Sequence, residues 1–259
     1  MLCVAIRRIC PMPPKPYIVD TETTRSLHFG PELIQSRMLR REPDTLVFDY
    51  TRTMMGFLLF LPQPRHVAMI GLGGGSLAKF CHRFLPQARI EVVEIDADVI
   101  ALRDEFQVPR NDRRFSVRME DGARFVAAAR QRFDVILLDG YDAAGMPARL
   151  AAAGFVEDCR GALKRGGLLV VNLARDDPNL ERFRQRLRRH FDGAVLGVDD
   201  AEQGNHILFA GTPLRRRVGE ISRPTTLPPA AWAQLVLPCA RLRRAQHAAL
   251  EAGALQPDR

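Results

Sequence analysis

Three acidic residues end predicted strands of the chain, close in sequence to a glycine-rich turn. Glu94, Asp121 and Asp139 each follow a mainly apolar segment, and the turn GLGGGS occupies residues 71–76. Carboxylates accept hydrogen bonds from hydroxyl and amino groups, and glycines let the backbone approach a ligand closely. Together these features predict an adenosine pocket, in which Glu94 accepts from the ribose hydroxyls and Asp121 from the adenine amino group.

The glycine turn carries the signals of a nucleotide-binding βαβ unit. An apolar strand precedes it, a helix beginning at Ser76 follows it, and Glu94 stands about 20 residues further on, where a ribose-binding acid is expected. The predicted ligand contacts are Gly71, Gly73, Gly75, Glu94 and Ile95. No lysine is suited to a triphosphate, and a dinucleotide stays open although its third glycine would fall at Ser76.

Strands alternate with helices from His66 to Gly211, and this alternation must position the acids. It predicts an α/β fold with a parallel sheet between two layers of helices. The last two apolar segments, AVLGV and HILFAG, predict a hairpin at the edge of the sheet. Ligands of such sheets bind at the carboxyl ends of the strands, so the turn and the three acids are expected to meet there.

Proline-rich stretches and turn signals divide the chain into four segments. They are a flexible arm (1–16), a small β-rich domain (17–61), the α/β domain (62–221) and a proline-rich, then helical, tail (222–259). Within the small domain, DTLVFDY (44–50) predicts a strand and 51–61 predicts a helix. A further helix is predicted over about 149–164, closing at two glycines.

The chain of 259 residues carries a net charge of +8, almost entirely from arginine. In residues 182–189 the apolar side chains recur at helical spacing, so the arginines are predicted to form the solvated face of a helix. A nucleic-acid partner is disfavoured, because no aromatic residues lie between the basic residues, although the sequence leaves it open. An apolar run of about 18 residues and a signal-peptide core are both missing from the sequence, which predicts a cytoplasmic protein without a membrane partner.

The five cysteines are scattered along the chain, without a CxxC pair. This spacing argues against a disulfide framework and against a zinc site, and no metal is expected. The cysteines are predicted to be small apolar side chains in a reducing compartment.

Five motifs together resemble the spermidine synthase family: the glycine turn, VEID, MEDGARF, FDVILLDGYDAAGMP and LKRGGLLVVN. The resemblance covers about residues 17–211. It implies the class I S-adenosylmethionine-dependent methyltransferase fold, a Rossmann-like domain with a mostly parallel seven-stranded sheet, an antiparallel edge hairpin and a small N-terminal β-rich part. It also implies the transfer of an aminopropyl group from decarboxylated S-adenosylmethionine to putrescine or a related polyamine, and a homodimer formed through the N-terminal part.

For the donor, the resemblance assigns roles to four matching residues. Gln35 matches a glutamine near the donor, and Glu94 matches the ribose acid. Asp121 and Gly122 match the adenine-binding pair.

For the acceptor, the resemblance points to three more residues. Asp139 matches the aspartate that orients or deprotonates the attacking amine, and Asp142 matches a second acid that holds a polyamine nitrogen. Tyr50 matches the tyrosine before the family's His/Gln-Glu-Met segment, and Tyr141 is the remaining predicted substrate contact. A sulfonium donor needs no activation, so catalysis consists of aligning a neutral amine and accepting its proton.

Three positions depart from the family pattern. Gly74 stands where the family turn usually carries an aspartate, Thr51-Arg52-Thr53 replaces His/Gln-Glu-Met, and residues 200–202 replace a Tyr-Pro pair. The sequence leaves open whether Arg52 points into the site. Two other functions therefore stay open. One is an S-adenosylmethionine-dependent methyltransferase acting on a small molecule or RNA, and the other is a non-catalytic protein that binds an adenosine ligand. DGYD after the strand disfavours methylation of nucleobase amines.

Overall fold

The computed structural model describes residues 15–30, 34–140, 145–200 and 204–256. Its central sheet contains β4 (His66–Ile70), β5 (Arg89–Glu94), β6 (Phe115–Met119), β7 (Phe133–Leu138), β8 (Leu163–Ala174), β9 (Val195–Asp200) and β10 (Asn205–Ala210). These seven strands lie in the order β6-β5-β4-β7-β8-β10-β9. All pairs from β6 to β8 are parallel, whereas β10 is antiparallel to both of its neighbours. The predicted mostly parallel sheet with an antiparallel edge hairpin is confirmed.

Helices cover both faces of this sheet. They are α1 (Asp49–Met55), α2 (Ser76–Phe84), α3 (Ala97–Ala101), α4 (Gly122–Ala127), α5 (Ala153–Ala162), α6 (Leu180–His190), α7 (Pro229–Ala233) and α8 (Val236–Glu251). Because side chains alternate along a strand, Val67 and Met69 of β4 pack into one core, with α1, α2 and α8, while Ala68 and Ile70 pack into the other, with α4, α5 and α6. Phe183 and Leu187 of α6 are buried while Arg182, Arg188 and Arg189 are exposed, as the helical spacing predicted.

A small antiparallel sheet precedes the large one. It contains β1 (Tyr17–Asp20), β2 (Thr24–His28) and β3 (Ile34–Leu39), in that order. The predicted small N-terminal β-rich part is therefore present, and its β3 packs against α2.

The predicted strand at residues 44–50 is wrong. Residues 43–48 form turns, bends and irregular backbone, and α1 already begins at Asp49. Arg52 explains the difference, because its guanidinium donates hydrogen bonds to the carbonyl oxygens of Leu46 (2.7 Å) and Val47 (3.2 Å). In a strand those carbonyls would instead accept hydrogen bonds from a neighbouring strand. After α1 the chain tightens into a 3-10 turn at Gly56–Leu59.

The helix predicted over about 149–164 is shorter than expected. It begins at Ala153 and ends at Ala162, and β8 starts immediately afterwards. Leu163 pairs with Phe133 of β7, and an irregular register then places Leu168 opposite Val135. The two glycines of this segment therefore lie within a bulged strand and do not close the helix.

The C-terminal tail packs onto the same core as α1. Leu235, Cys239 and Leu242 are buried in one cluster with Met54 and Met55. The division of the chain into four segments stays a prediction. Among the described cysteines, Cys81, Cys159 and Cys239 are unpaired and buried, and burial raises the pKa of each thiol. The helices of the described ranges are all too short or too polar to span a lipid bilayer.

Candidate active site

A cleft of about 1850 Å³ opens at the carboxyl ends of the parallel strands, with β3 and α1 as its opposite wall. The predicted site residues that line it are Gln35, Tyr50, Gly71, Gly73, Glu94, Ile95, Asp121, Gly122 and Asp139. Tyr141 and Asp142, the other two predicted substrate contacts, lie outside the described residues. The structure thus brings the donor and acceptor candidates that it describes into one space.

The glycine turn brings the backbone of β4 against that of β7. Gly71 has a φ of +96°, and a Cβ atom there would lie 2.2 Å from the carbonyl oxygen of Asp139. At Gly73 (φ +51°) an added Cβ would have only Ser36 nearby, at 3.9 Å, so this glycine borders open space in the cleft. Gly75 does not line the cleft. It packs against Val108 and turns the chain into α2.

Glu94 is held by backbone amides at the end of β5. Its Oε2 accepts a hydrogen bond from the N–H of Leu72 (2.8 Å), and its Oε1 accepts from the N–H groups of Ile95 (2.8 Å) and Asp96 (2.9 Å). A carboxylate has about four lone-pair sites, and three are used here, so Oε2 can still accept one further bond. The carboxylate is therefore fixed in direction and keeps acceptor capacity toward the cleft. The side chain of Ile95 beside it is 61% exposed, which offers an apolar surface to a flat ring.

Asp121 forms the N-cap of α4 and also faces the cleft. Its Oδ1 accepts from the N–H groups of Ala123 (2.8 Å) and Arg124 (3.3 Å), while its Oδ2 accepts from Arg149 (2.5 Å). Asp121 therefore caps a helix, as acids after strands often do, and also lies in the cleft where the sequence predicted a ligand-binding acid. Gly122 allows α4 to approach β4, because a Cβ there would lie 2.4 Å from the side chain of Ile70.

Asp139 lies at the junction of the sheet and α1. Its Oδ2 accepts a hydrogen bond from the hydroxyl of Tyr50 (3.2 Å), and its Oδ1 accepts from the amide of Asn172 (2.9 Å). Burial raises the pKa of this carboxyl above its ordinary value, although both hydrogen bonds act in the opposite direction. Burial and the charge of Asp139 likewise raise the pKa of Tyr50, so its hydroxyl stays protonated. Asp139 is thus the group best placed to accept a proton.

Two further residues of the cleft, which bind Asp139 and Asp121, were not predicted from the sequence. Asn172 is buried in β8, donates to Asp139, and accepts a hydrogen bond from Asn205 of β10 (2.8 Å). A lone amide in the apolar run LLVVNL was a signal, since a buried amide needs partners. Arg149 gave no such signal, because its partner Asp121 is 28 residues away in sequence.

The departures from the family pattern also have structural explanations. Arg52 is not among the cleft-lining residues and instead binds the carbonyls before α1. Thr51 lines the cleft, but its hydroxyl donates to the carbonyl of Phe48 (2.6 Å). Gly74 packs against β3, where an added Cβ would lie 2.5 Å from Oγ of Ser36. The third departure lies mostly outside the described residues.

Comparison with known proteins agrees with this arrangement. The family model described as spermine/spermidine synthase domain matches residues 47–185. The chain is 40% identical over 198 residues to the polyamine aminopropyltransferase of Chromobacterium violaceum, covering 76% of each. It is 36% identical over 214 residues to the polyamine aminopropyltransferase of Neisseria meningitidis serogroup B, covering 81% of each.

Solved structures show the same fold at lower identity. A probable spermidine synthase from Corynebacterium glutamicum superposes with a TM-score of 0.71 at 21% identity, covering 94% of this chain and 92% of that one. Human methyltransferase-like protein 13, in complex with SAH, gives a TM-score of 0.59 at 23% identity, covering 76% of this chain and 92% of that one. The Rossmann-like methyltransferase fold is thereby confirmed, and on its sequence the chain belongs to the spermine/spermidine synthase family of transferases.

Proposed function

We propose that this protein transfers an aminopropyl group from decarboxylated S-adenosylmethionine to an amine of the polyamine class. The observation that carries the proposal is the position of Asp139, whose backbone touches the glycine turn while its carboxylate binds Tyr50 and Asn172. A donor whose ribose binds Glu94 has its sulfonium end directed past the turn, toward this carboxylate. Relatives at 36–40% identity bear the name polyamine aminopropyltransferase.

The reaction needs one bond to form and one to break. The amine nitrogen attacks the methylene carbon next to the sulfonium, the carbon–sulfur bond breaks, and its electron pair stays on sulfur to give methylthioadenosine. The acceptor arrives as an ammonium ion, so a proton must leave before the nitrogen has a lone pair. Asp139 takes this proton, and its raised pKa makes it a stronger base than an exposed aspartate.

Each wall of the cleft contributes to alignment. On the donor side, Glu94 and Asp121 hold ribose and adenine, and the exposed face of Ile95 packs on the ring. On the acceptor side, Tyr50 keeps Asp139 directed into the cleft and leaves its remaining lone pairs for the ammonium. Holding the two reactants in line lowers the barrier by making the attack effectively intramolecular.

The test measures donor choice and turnover together. Purified protein is titrated calorimetrically with decarboxylated S-adenosylmethionine, S-adenosylmethionine and methylthioadenosine, and then assayed for methylthioadenosine formation with putrescine and longer polyamines. Tighter binding of the decarboxylated donor and amine-dependent methylthioadenosine formation are expected. Methyl transfer from the carboxylated donor would replace the proposal by the methyltransferase alternative, and binding without turnover would favour a non-catalytic role.

The proposal also includes a cytoplasmic homodimer. A dimer is supported by apolar side chains on the small sheet, where Tyr17 and Val19 are each 41% exposed. A reducing location is supported by the unpaired state of the three described cysteines. Light scattering during gel filtration tests the dimer, and substitution of Tyr17 and Val19 by lysine is expected to give monomers.

A further inference from the structure

The C-terminal helix α8 is bound to the helix that carries Tyr50. The guanidinium Nη2 of Arg241 donates hydrogen bonds to Oδ2 of Asp49 and, at 3.0 Å, to Oγ1 of Thr53. Asp49 is 6% exposed and Thr53 is fully buried. Arg241 lies outside the segment that matches the family model, which ends at residue 185. A residue beyond that segment thus supplies the counter-charge of a buried carboxylate in α1.

The charge of Asp49 makes this contact necessary. Taking a carboxylate out of water without a partner is costly, and removing the partner of a buried charge is destabilising. Helix α1 is only seven residues long, too short to be stable alone. Its position therefore depends on tertiary contacts, and the Arg241 contact is made at its first turn.

Helix α8 is itself fixed on its other side. The fully buried Gln246 donates to the carbonyl oxygens of Leu214 and Arg216 (2.8 Å each) and accepts from the N–H of Val218 (3.0 Å). These three residues follow β10, so α8 is anchored to the edge of the sheet. The helix can thus hold α1 at a defined distance from the strands.

Tyr50 follows Asp49 directly in α1, and its hydroxyl donates to Asp139 at 3.2 Å. We propose that Arg241 is a positioning residue for Asp139, which acts through Asp49 and the first turn of α1 to keep the Tyr50 hydroxyl on the carboxylate. This inference rests on the proposed function, because Asp139 is the proton acceptor there. It extends the catalytic machinery to the C-terminal tail.

The pH dependence of turnover distinguishes positioning from simple stabilisation. The groups that act on Asp139 are Asn172 and Tyr50, whose hydrogen bonds lower its pKa, and Glu94, whose charge raises it. Asp200 of β9 acts on Tyr50 by its charge. If α1 shifts, the hydrogen bond from the Tyr50 hydroxyl to Asp139 lengthens and the pKa of Asp139 rises further. The fall of kcat on the acidic side of its pH profile, the acidic limb, then moves to higher pH. Loss of folded protein alone would lower the amplitude and leave the limb in place.

The experiment compares Arg241→Ala and Arg241→Lys with wild type. Tyr50→Phe is the reference for a lost hydroxyl. Arg217→Ala is the control, because Arg217 lies in the segment after β10 and forms an exposed ion pair with Glu251 at the end of α8 (2.9 Å). For Arg241→Ala we expect kcat to fall about ten- to hundredfold, the donor KM to stay within about twofold, and the acidic limb to shift upward as in Tyr50→Phe. Lysine restores the charge but not both hydrogen bonds, so its values should lie between. An unshifted limb with full kcat per folded molecule would overturn the inference.

A second variant and a second readout keep the test decisive. If Arg241→Ala does not fold, the double variant Arg241→Ala/Asp49→Asn removes the buried charge together with its partner, and the same limb shift is expected. Tyrosine labelled with 13C at Cζ reports the Tyr50 hydroxyl by NMR without any turnover, with Tyr50→Phe giving the assignment. A changed Tyr50 resonance in a protein that never forms methylthioadenosine would support the positioning contact while the proposed function fails. An unchanged resonance beside normal wild-type turnover would refute the contact alone.

Discussion

The backbone N–H of Leu72 donates a hydrogen bond of 2.8 Å to Oε2 of Glu94, which joins the glycine turn after β4 to the end of β5. The same carboxylate accepts two further amides from the residues that follow it. The acid therefore does more than face a ligand. It shapes the turn on one side and the entry to α3 on the other, so the backbone on both sides of the proposed donor site depends on one side chain.

Glu94→Gln is expected to weaken donor binding by about ten- to hundredfold, the usual worth of charge-assisted hydrogen bonds. An amide has one acceptor oxygen, and its NH2 group would face either the Leu72 amide or the amides after β5. Calorimetry with methylthioadenosine measures the loss without any chemistry. Asp104→Asn is the control, an exposed acid in the turn after α3 that does not line the cleft. Equal affinity in Glu94→Gln and wild type would remove Glu94 from the donor site.

Asp139→Asn is expected to lower kcat by about 10²- to 10⁴-fold, the usual contribution of a positioned general base. The carboxamide cannot take the proton of the acceptor ammonium, while the glycine turn still meets the unchanged backbone of residue 139. Binding of methylthioadenosine should therefore persist within about threefold. Turnover at the wild-type rate would show that solvent or another group receives the proton.

The activity of the wild-type enzyme should fall on the acidic side at a pH above 3.8, the ordinary pKa of an aspartate. Asp139 works only when ionised, and burial raises its pKa, so its active form is lost as the pH falls through that raised value. Asn172→Leu should move this limb further up, because the Asn172 hydrogen bond lowers the pKa. The pH profile of kcat at saturating amine measures both effects.

The same substitution at Asn179 is the control for this profile. Asn179 is exposed before α6, and its side chain does not cap that helix. Its pH profile should match that of wild type. A limb that stays in place in Asn172→Leu would mean that another group controls the acidic loss of activity.

The strand ends that line the cleft were predictable because an apolar run predicts each strand and an acid marks where it ends. Glu94 and Asp139 interrupt apolar runs at the points where parallel strands stop, and a parallel sheet brings those points to one edge. Topology then places them beside the glycine turn without any further information. Gln35 and Tyr50 were predicted as site residues from the family resemblance alone. The structure places both in the cleft, on the wall formed by β3 and α1.

The start of α1 was not predictable from local pattern. The segment DTLVFDY has the β-branched and aromatic content of a strand, but Arg52 occupies its carbonyls and Arg241 binds its final acid from 192 residues away. Contacts at that separation leave no trace in a window of neighbouring residues. For the same reason the sequence contains no signal that the tail packs onto the core, although Leu242 lies directly over Gly56.

Gly74→Asp, which restores the acid usual in the family turn, is expected to destabilise this protein by about 1–3 kcal/mol, the usual cost of overpacking. Its Cβ would lie 2.5 Å from Oγ of Ser36 and 3.0 Å from a ring carbon of Phe106, two buried neighbours. Urea unfolding measures the change. Gly154→Asp is the control, because nothing lies within 4 Å of its Cβ position near the start of α5.

The rescue of that variant decides what the departure at Gly74 means. Ser36→Gly removes both atoms of β3 that the new side chain would meet, so the double variant should recover part of the lost stability. Recovery would show that the acid is missing because β3 packs closely on the turn, and donor binding in the wild-type protein need not have changed. If Gly74→Asp is as stable as wild type and also binds donor more tightly, the missing acid reflects a change in the ligand, and the methyltransferase alternative gains support.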